Sequence, residues 1–290
     1  LRLAHGTPRD HVLGLTLVTG DGRVLELGGR VVKNVAGFDL VKLATGARGT
    51  LGLICQVCVR LRPLPERDAT LALAAAGPDA ALELAAAIRD ARIEPAALEI
   101  VSPPLAAGVL GLGAAEWAVV VRLQGGAEAV GEAEARVRER ARGGRMVALD
   151  AAGAQALWTA LGEPEARAAL VARLADQPSE LANTLAAALE LPGAARAWPL
   201  LAHAGSGIVR AAVPADAFGE AAGRWAEALG RARSRLAERR GTVLCVRAPR
   251  EVIAAGLDPF GDPGPALRLM RALKKEFDPA GVLAPGRFVL

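Results

Sequence analysis

The sequence is short of several residue types at once: it has no tyrosine, three cysteines, three histidines and two methionines in 290 residues, and aromatics make up 3%. Cys55, Cys58 and Cys245 are too few for a disulfide framework and point to a reducing compartment. The C-x-x-C spacing at Cys55 and Cys58 offers no bridge or chelate, because residues three apart on a strand project to opposite faces. No stretch of about 18 residues escapes a charge or a Pro/Gly break, which excludes a membrane-spanning helix. The 35 basic residues against 31 acidic ones are scattered, without a stripe or interleaved aromatics, so the footprint of a nucleic-acid binder is missing. No secretory signal pattern opens the sequence. What is abundant is apolar: 52% hydrophobic with 23% charged residues excludes disorder and supplies the core of one large domain or two modest ones.

The remaining skew, with 31 Arg against 4 Lys and only two Asn, fits a bias toward GC-rich codons. Against that background Lys33, Asn34 and Lys42 crowd into ten positions. From His11 to Leu27, two β-rich runs flank Gly20, Asp21 and Gly22, which predicts a hairpin. Asp39 is placed to N-cap a helical turn or two ending at Gly46. Residues 50–62 alternate, with Leu51, Leu53, Cys55, Val57, Val59 and Leu61 on one face. This predicts a strand with one buried side, stopped by Pro63 and Pro65.

Past Glu66 the texture changes to alanine-rich helical segments between short apolar runs. The pattern gives strand 69–75, helix 78–92, strands 96–101 and 116–123, helix 126–142 and strand 145–149, a ferredoxin-like βαββαβ order. Helices near 151–161, 164–175 and 179–190 follow, then strands 196–203 and 207–213, helix 215–240 and strand 242–248. A last helix stops at Asp278, before a Pro/Gly-punctuated tail. The expected fold class is α+β, with an antiparallel sheet carrying helices on one face and divisions at 1–66, 67–262 and 263–290.

The densest set of unusual residues is 28–54. Gly37, Gly46, Gly49 and Gly52 recur between element ends, where a missing Cβ lets backbone approach a ligand. Gly49, Thr50 and Gly52 precede a strand, so their amides could meet a flat polar edge; the competing reading is that these glycines only make tight turns. The run VVKNVAGFDLVKLATGARGTLGLI resembles the matching stretch of the vanillyl-alcohol-oxidase (PCMH-type) FAD-binding family, and within it the glycolate oxidase FAD-binding subunits. GTPRDHVLG at 6–14 and FDPAGVLAPGR at 277–287 are similar to two further stretches of that family.

The resemblance implies the later part of a PCMH-type FAD-binding domain plus an antiparallel cap. FAD would be the cofactor, and Gly6, Thr7, Arg9, Asp10, Gly14, Asn34, Gly37, Asp39, Gly49, Thr50, Gly52, Leu53, Ile54 and Arg287 the residues near it. It also implies an upstream flavin subdomain with a pyrophosphate loop ahead of Leu1, so weak FAD binding is expected of the 290 residues alone. Ala284 departs from the family's usual Asn, and Phe38 from a frequent Tyr.

A second constellation is HAGSGIVR, from His203 to Arg210. It is similar to the H-x-G-D-G-N-x-H run of flavin dehydrogenases acting on D-2-hydroxy acids, but Ser206, Ile208 and Arg210 replace the Asp, Asn and second His. One imidazole without a carboxylate makes no metal site. His203 could still take a hydroxyl proton, and Arg210 could grip a substrate carboxylate in a bidentate fork. The alternatives are a structural histidine and an exposed strand arginine.

The expected function is therefore that of the FAD-binding subunit of a complex oxidising glycolate to glyoxylate, with a sister flavoprotein subunit and an iron–sulfur subunit receiving the electrons. The degraded histidine motif assigns hydroxy-acid oxidation to the sister subunit. A stand-alone D-lactate-type dehydrogenase and a non-catalytic scaffold are the alternatives. The expected location is cytoplasmic, peripheral to the membrane only through partners.

Overall fold

The computed structural model describes residues 2–29, 37–141, 144–193, 198–217 and 222–287. The chain forms two compact units, one of Leu1–His5 with Pro65–Pro259, the other of Gly6–Leu64 with Phe260–Leu290.

The smaller unit holds a three-stranded antiparallel sheet of β1 (Val12–Val18), β2 (Val24–Gly28) and β3 (Leu53–Val59), in the order β2-β1-β3. The predicted hairpin is β1–β2. Gly22 turns it at φ 83°, and the Gly20 position lies so close to Asp278 that an added Cβ would stand 2.1 Å from Oδ1. Asp39 caps the helix Leu40–Ala44 as expected, its Oδ1 accepting from the Lys42 amide at 3.0 Å. A small core gathers Leu15, Leu17, Val41, Ala44, Leu51 and Phe277.

The strand predicted over 50–62 forms, but its buried side does not. Leu51 is buried, whereas Leu53, Val57, Val59 and Leu61 are exposed, as is Ile54 on the other face. The reason is topological. Among the described residues β3 lies at the edge of its sheet and pairs with β1 alone, and the helix Leu40–Ala44 packs on β1 and β2 instead.

The larger unit is built on an eight-stranded antiparallel sheet. Its strands are β4 (Arg67–Ala75), β5 (Ala97–Val101), β6 (Trp117–Gly125), β7 (Met146–Leu149), β8 (Leu170–Ala175), β9 (Leu200–His203), β10 (Ile208–Val213) and β11 (Thr242–Arg247). They run in the order β11-β8-β10-β9-β5-β6-β4-β7. Alternate residues, among them Leu71, Leu73, Ile100, Val119, Val121, Leu174, Val209 and Val243, face four long helices: Pro78–Asp90, Ala127–Ala141, Leu181–Leu189 and Ala222–Ala237. Trp198 and Trp225 meet in this core with ring centroids 5.9 Å apart.

The expected helix-covered face is this one. A helix not foreseen, Pro103–Leu110, and the predicted Ala151–Ala160 lie on the opposite face, over Ala72, Val101, Ala118, Val120 and Leu201. The Ser-Pro-Pro start of the first is a helix-entry signal, although the Ser102 hydroxyl is used to accept from the Leu200 amide at 2.8 Å.

The helix expected over 164–175 is corrected more substantially. A single short helix, Glu163–Arg167, is followed by β8. Leu170, Ala172 and Leu174 alternate into the core, and β10 and β11 pair with both edges, so tertiary pairing overrides the helix propensity of the alanine-rich run.

Candidate functional site

In the smaller unit, two of the three stretches that carry the flavin resemblance, 6–14 and 31–54, have one cleft in common. It measures about 300 Å³ and is lined by Arg9, Lys42, Thr45, Gly46, Arg48 and Thr50, with an apolar floor that includes Leu43, Leu51, Met270 and Leu273. Three cations converge on it, with the glycines beside them free of side chains. Gly46 (φ 92°) and Gly49 (φ 76°) face open space, and Arg48 between them is held at φ 57°, a conformation costly for a side-chain-bearing residue. The Arg48 guanidinium lies 5.7 Å from the Phe260 ring centroid.

The other nominated residues divide by role. Asp10 accepts from the Thr7 amide and hydroxyl, both at 2.7 Å, and these bonds hold its carboxyl below the usual range. Gly6, at φ 77°, has Asp10 Oδ2 where a Cβ would stand; Gly14 passes within 2.7 Å of the Gly29 amide on the same basis. Gly6, Thr7 and Asp10 build the chain's entry to a short helical turn, and Gly14 lies within β1. Asp39 is engaged by the Lys42 amide and ammonium. Thr50 is buried, its hydroxyl donating to Ala47 O at 2.6 Å, and Gly52 sits against the Leu17 side chain. Gly37 (φ 77°) faces open space, Leu53 and Ile54 are exposed, and Arg287 is exposed with its amide on Ala284 O. Ala284 adopts φ 43°, a region that asparagine tolerates better than alanine, so this departure costs backbone strain as well as an amide. Asn34 lies outside the described residues.

Behind the cleft, the Lys274 ammonium donates to Thr50 O (2.9 Å), Leu283 O (2.8 Å) and Asp278 Oδ2 (2.6 Å). Asp278 also accepts from the amides of Val282 and Leu283. Desolvation pushes the Asp278 carboxyl up, but Lys274 and the two amides outweigh it and hold the group below its ordinary value. This bracket ties the C-terminal tail to the entrance of β3.

In the larger unit, the sheet face opposite the four long helices carries a row of polar groups. His203 ends β9, directly opposite Glu99 of β5 and Ile208 of β10. Its Nδ1 stands 2.6 Å from Glu99 Oε2; the ring is partly exposed and the carboxylate buried. Farther along, Asp68 is saturated by a bidentate Arg122 and by Gln124, whose Oε1 lies 2.9 Å from His5 Nε2. Arg122 stacks over Trp158, which donates to Thr70 at 3.0 Å.

Arg210, nominated for a substrate carboxylate, is paired with Glu165 instead. Arg247 braces the Glu165 segment by donating to the carbonyls of Glu165, Ala166 and Ala168. The motif glycines serve the chain: Gly205 makes room for Leu3, and Gly207, at φ 64°, turns against Asp176 O. Among the described residues no three His, Cys, Asp or Glu side chains gather as a metal site. Sequence reading missed Glu99, although a lone carboxylate inside the apolar run Ala97–Val101 was a signal that could have found it.

A protein-family model for FAD linked oxidases, C-terminal domain, matches residues 64–243 and 262–288. The chain belongs to that family. Its cofactor is FAD. Among curated relatives, the glycolate oxidase subunit GlcD of Bacillus subtilis (strain 168) is 35% identical over 102 residues, covering 35% of this chain and 22% of its own length. Subunit GlcE of Escherichia coli (strain K12) is 42% identical over 66 residues, 23% and 19% of the two chains. The chain thus spans under a quarter of either relative. The solved structure of p-cresol methylhydroxylase with substrate bound superposes with TM-score 0.65 over 96% of this chain and 64% of that one, at 16% identity, and shares the fold.

The smaller unit's residues fit part of such a cofactor. Three cations and the open Gly46 in the cleft lining suit an anionic phosphate group, while about 300 Å³ is the low end for a ligand pocket and cannot enclose a whole dinucleotide.

Proposed function

We propose that this chain is part of an FAD-dependent oxidoreductase acting on the CH–OH group of 2-hydroxy acids. In this reading it is the FAD-binding subunit of a glycolate oxidase-type complex that forms glyoxylate and passes electrons to an iron–sulfur subunit. The similarity to GlcD and GlcE supports the class of complex, with a sister flavoprotein as the other partner. The cleft cations Arg9, Lys42 and Arg48 would hold the cofactor's anionic part, with Thr50 and Leu51 beside it. Bound FAD supplies the two-electron acceptor. No helix among the described residues is long and apolar enough to cross a membrane.

One observation carries the catalytic half of the reading: His203 keeps a buried carboxylate partner even though its motif has lost the second histidine and the aspartate. That gives this chain its own candidate base for the substrate hydroxyl, and it weighs against leaving oxidation wholly to a sister subunit. Arg210 has a lesser claim, because its guanidinium is already neutralised by Glu165.

The test uses the full-length protein with its partner subunits under anaerobic conditions. Glycolate is expected to bleach the flavin absorbance, and His203→Gln to slow bleaching by about 10²–10⁴-fold while flavin remains bound. Equal bleaching rates would reject His203 as the base. A stand-alone D-2-hydroxy acid dehydrogenase is the second reading, favoured by the 42% identity over 69 residues to a D-lactate dehydrogenase of Archaeoglobus fulgidus. Fast bleaching by D-lactate in the isolated protein, with none by glycolate, would establish it.

A further inference from the structure

We propose that Glu99 is a positioning residue for His203: its carboxylate keeps the ring proton on Nδ1 and leaves Nε2 as the basic nitrogen. The chemical use of that nitrogen rests on the 2-hydroxy acid reading above; the tautomer itself rests on geometry alone.

The argument starts from the sheet register. Glu99 and His203 are directly opposed across β5 and β9, and β10 pairs with the other edge of β9, so the backbone of His203 is fixed on both sides. Glu99 is 6% exposed in a strand whose five residues are all buried. A buried carboxylate needs a donor; among the described residues no hydrogen bond reaches Oε2, and the contact it has is with His203 Nδ1 at 2.6 Å. A neutral imidazole has one N–H. With Nδ1 only 2.6 Å from Oε2, a bare Nδ1 would set lone pair against lone pair. The proton therefore belongs on Nδ1, and that contact leaves Nε2 as the acceptor, the arrangement in which an orienting carboxylate serves a base.

The neighbouring acids sharpen the point. Asp68 is filled by Arg122 and Gln124, and Glu165 by Arg210, so both are spent on permanent cations. Glu99 is the acid of this face that meets a group able to give and take a proton. Its ring partner is 23% exposed, enough for the far nitrogen to be reached.

The chain has only three histidines, His5, His11 and His203, so ring-selective ¹⁵N labelling with His5→Gln and His11→Gln for assignment resolves each tautomer. At a pH where the ring is neutral, His203 is expected to carry its proton on Nδ1. Glu99→Gln should abolish that preference and Glu99→Asp restore part of it. A wild-type ring protonated on Nε2 would overturn the proposal without need of any variant, as would an unchanged tautomer in Glu99→Gln. In the full-length complex with glycolate, Glu99→Gln is expected to lower kcat at least ~10-fold with little change in KM, where a purely structural pin would lower stability alone. If instead the tautomer is as stated but His203→Gln turns over normally, the hydroxy-acid reading falls and the catalytic use of Glu99 falls with it.

Discussion

The two sheets of this protein are made of equally apolar strands and end up in opposite environments. The eight-stranded sheet is covered by four long helices on one face, and its strands β9, β5, β6 and β4 also by the helices Pro103–Leu110 and Ala151–Ala160 on the other. β3 of the three-stranded sheet, with Leu53, Ile54, Val57 and Val59, is open to solvent. Apolar alternation thus states what a strand can bury and not what will be there to bury it. The polar residues follow the same division. In the larger sheet Asp68, Glu99 and Glu165 on the second face each meet a basic side chain, whereas in the smaller unit cations collect around an open cleft.

The strongest test of this contrast is deletion of a side chain from the closed core. Trp198 is fully buried, with Nε1 donating to Pro192 O at 3.1 Å, so Trp198→Ala should cost about 3–5 kcal/mol, read from the denaturant midpoint. A loss below ~1 kcal/mol would mean that the larger core is not closely packed.

Acid should then separate the smaller unit from the larger one through the Lys274–Asp278 bracket. The folded-state carboxyl of Asp278 titrates below its unfolded value of about 3.9. Its contribution is therefore complete above that value and fades as pH falls through the lower folded one. Wild-type protein is expected to lose stability more steeply than Asp278→Asn as pH drops below about 4, followed by pH-stepped melts. Parallel curves would show that the bracket adds nothing.

Thiol labelling compares the two sheets more gently. Burial pushes the Cys245 thiol of β11 up to about 11, while Cys55 on β3 is exposed and Cys58 partly so. In the native protein a thiol reagent near pH 8 should modify two cysteines quickly and Cys245 only on unfolding. Rapid reaction of all three would contradict the closed core. The smallest effect is expected for Val57→Thr on β3, within about 0.5 kcal/mol, because the side chain is already half in water. A cost of ~1 kcal/mol or more would show β3 to be covered in solution and would remove the contrast between the sheets.

Much of the element pattern was legible. The β1–β2 hairpin, the Asp39 cap, the helices Pro78–Asp90 and Ala127–Ala141 and the strands that flank them fall where turn residues and periodicity put them. Residues 164–175 failed because an alanine- and leucine-rich run satisfies both periods, and only neighbours on both edges select the strand. At the candidate site, His203 could be nominated from its glycine-spaced run, but its partner sits 104 positions upstream in another strand, beyond the reach of local spacing. Arg210 could be nominated on the same grounds. Its neutralisation by Glu165 could not be seen, for the same reason.

The order of elements, the α+β class and the glycine-bearing segments were set by the sequence itself, since turn chemistry and side-chain period act over a few residues at a time. Which apolar faces are closed, which arginine keeps its charge available, and which histidine nitrogen faces a carboxylate were decided by the tertiary structure. Those outcomes depend on strand register and on partners tens of residues away, and a one-residue shift in pairing would change every one of them.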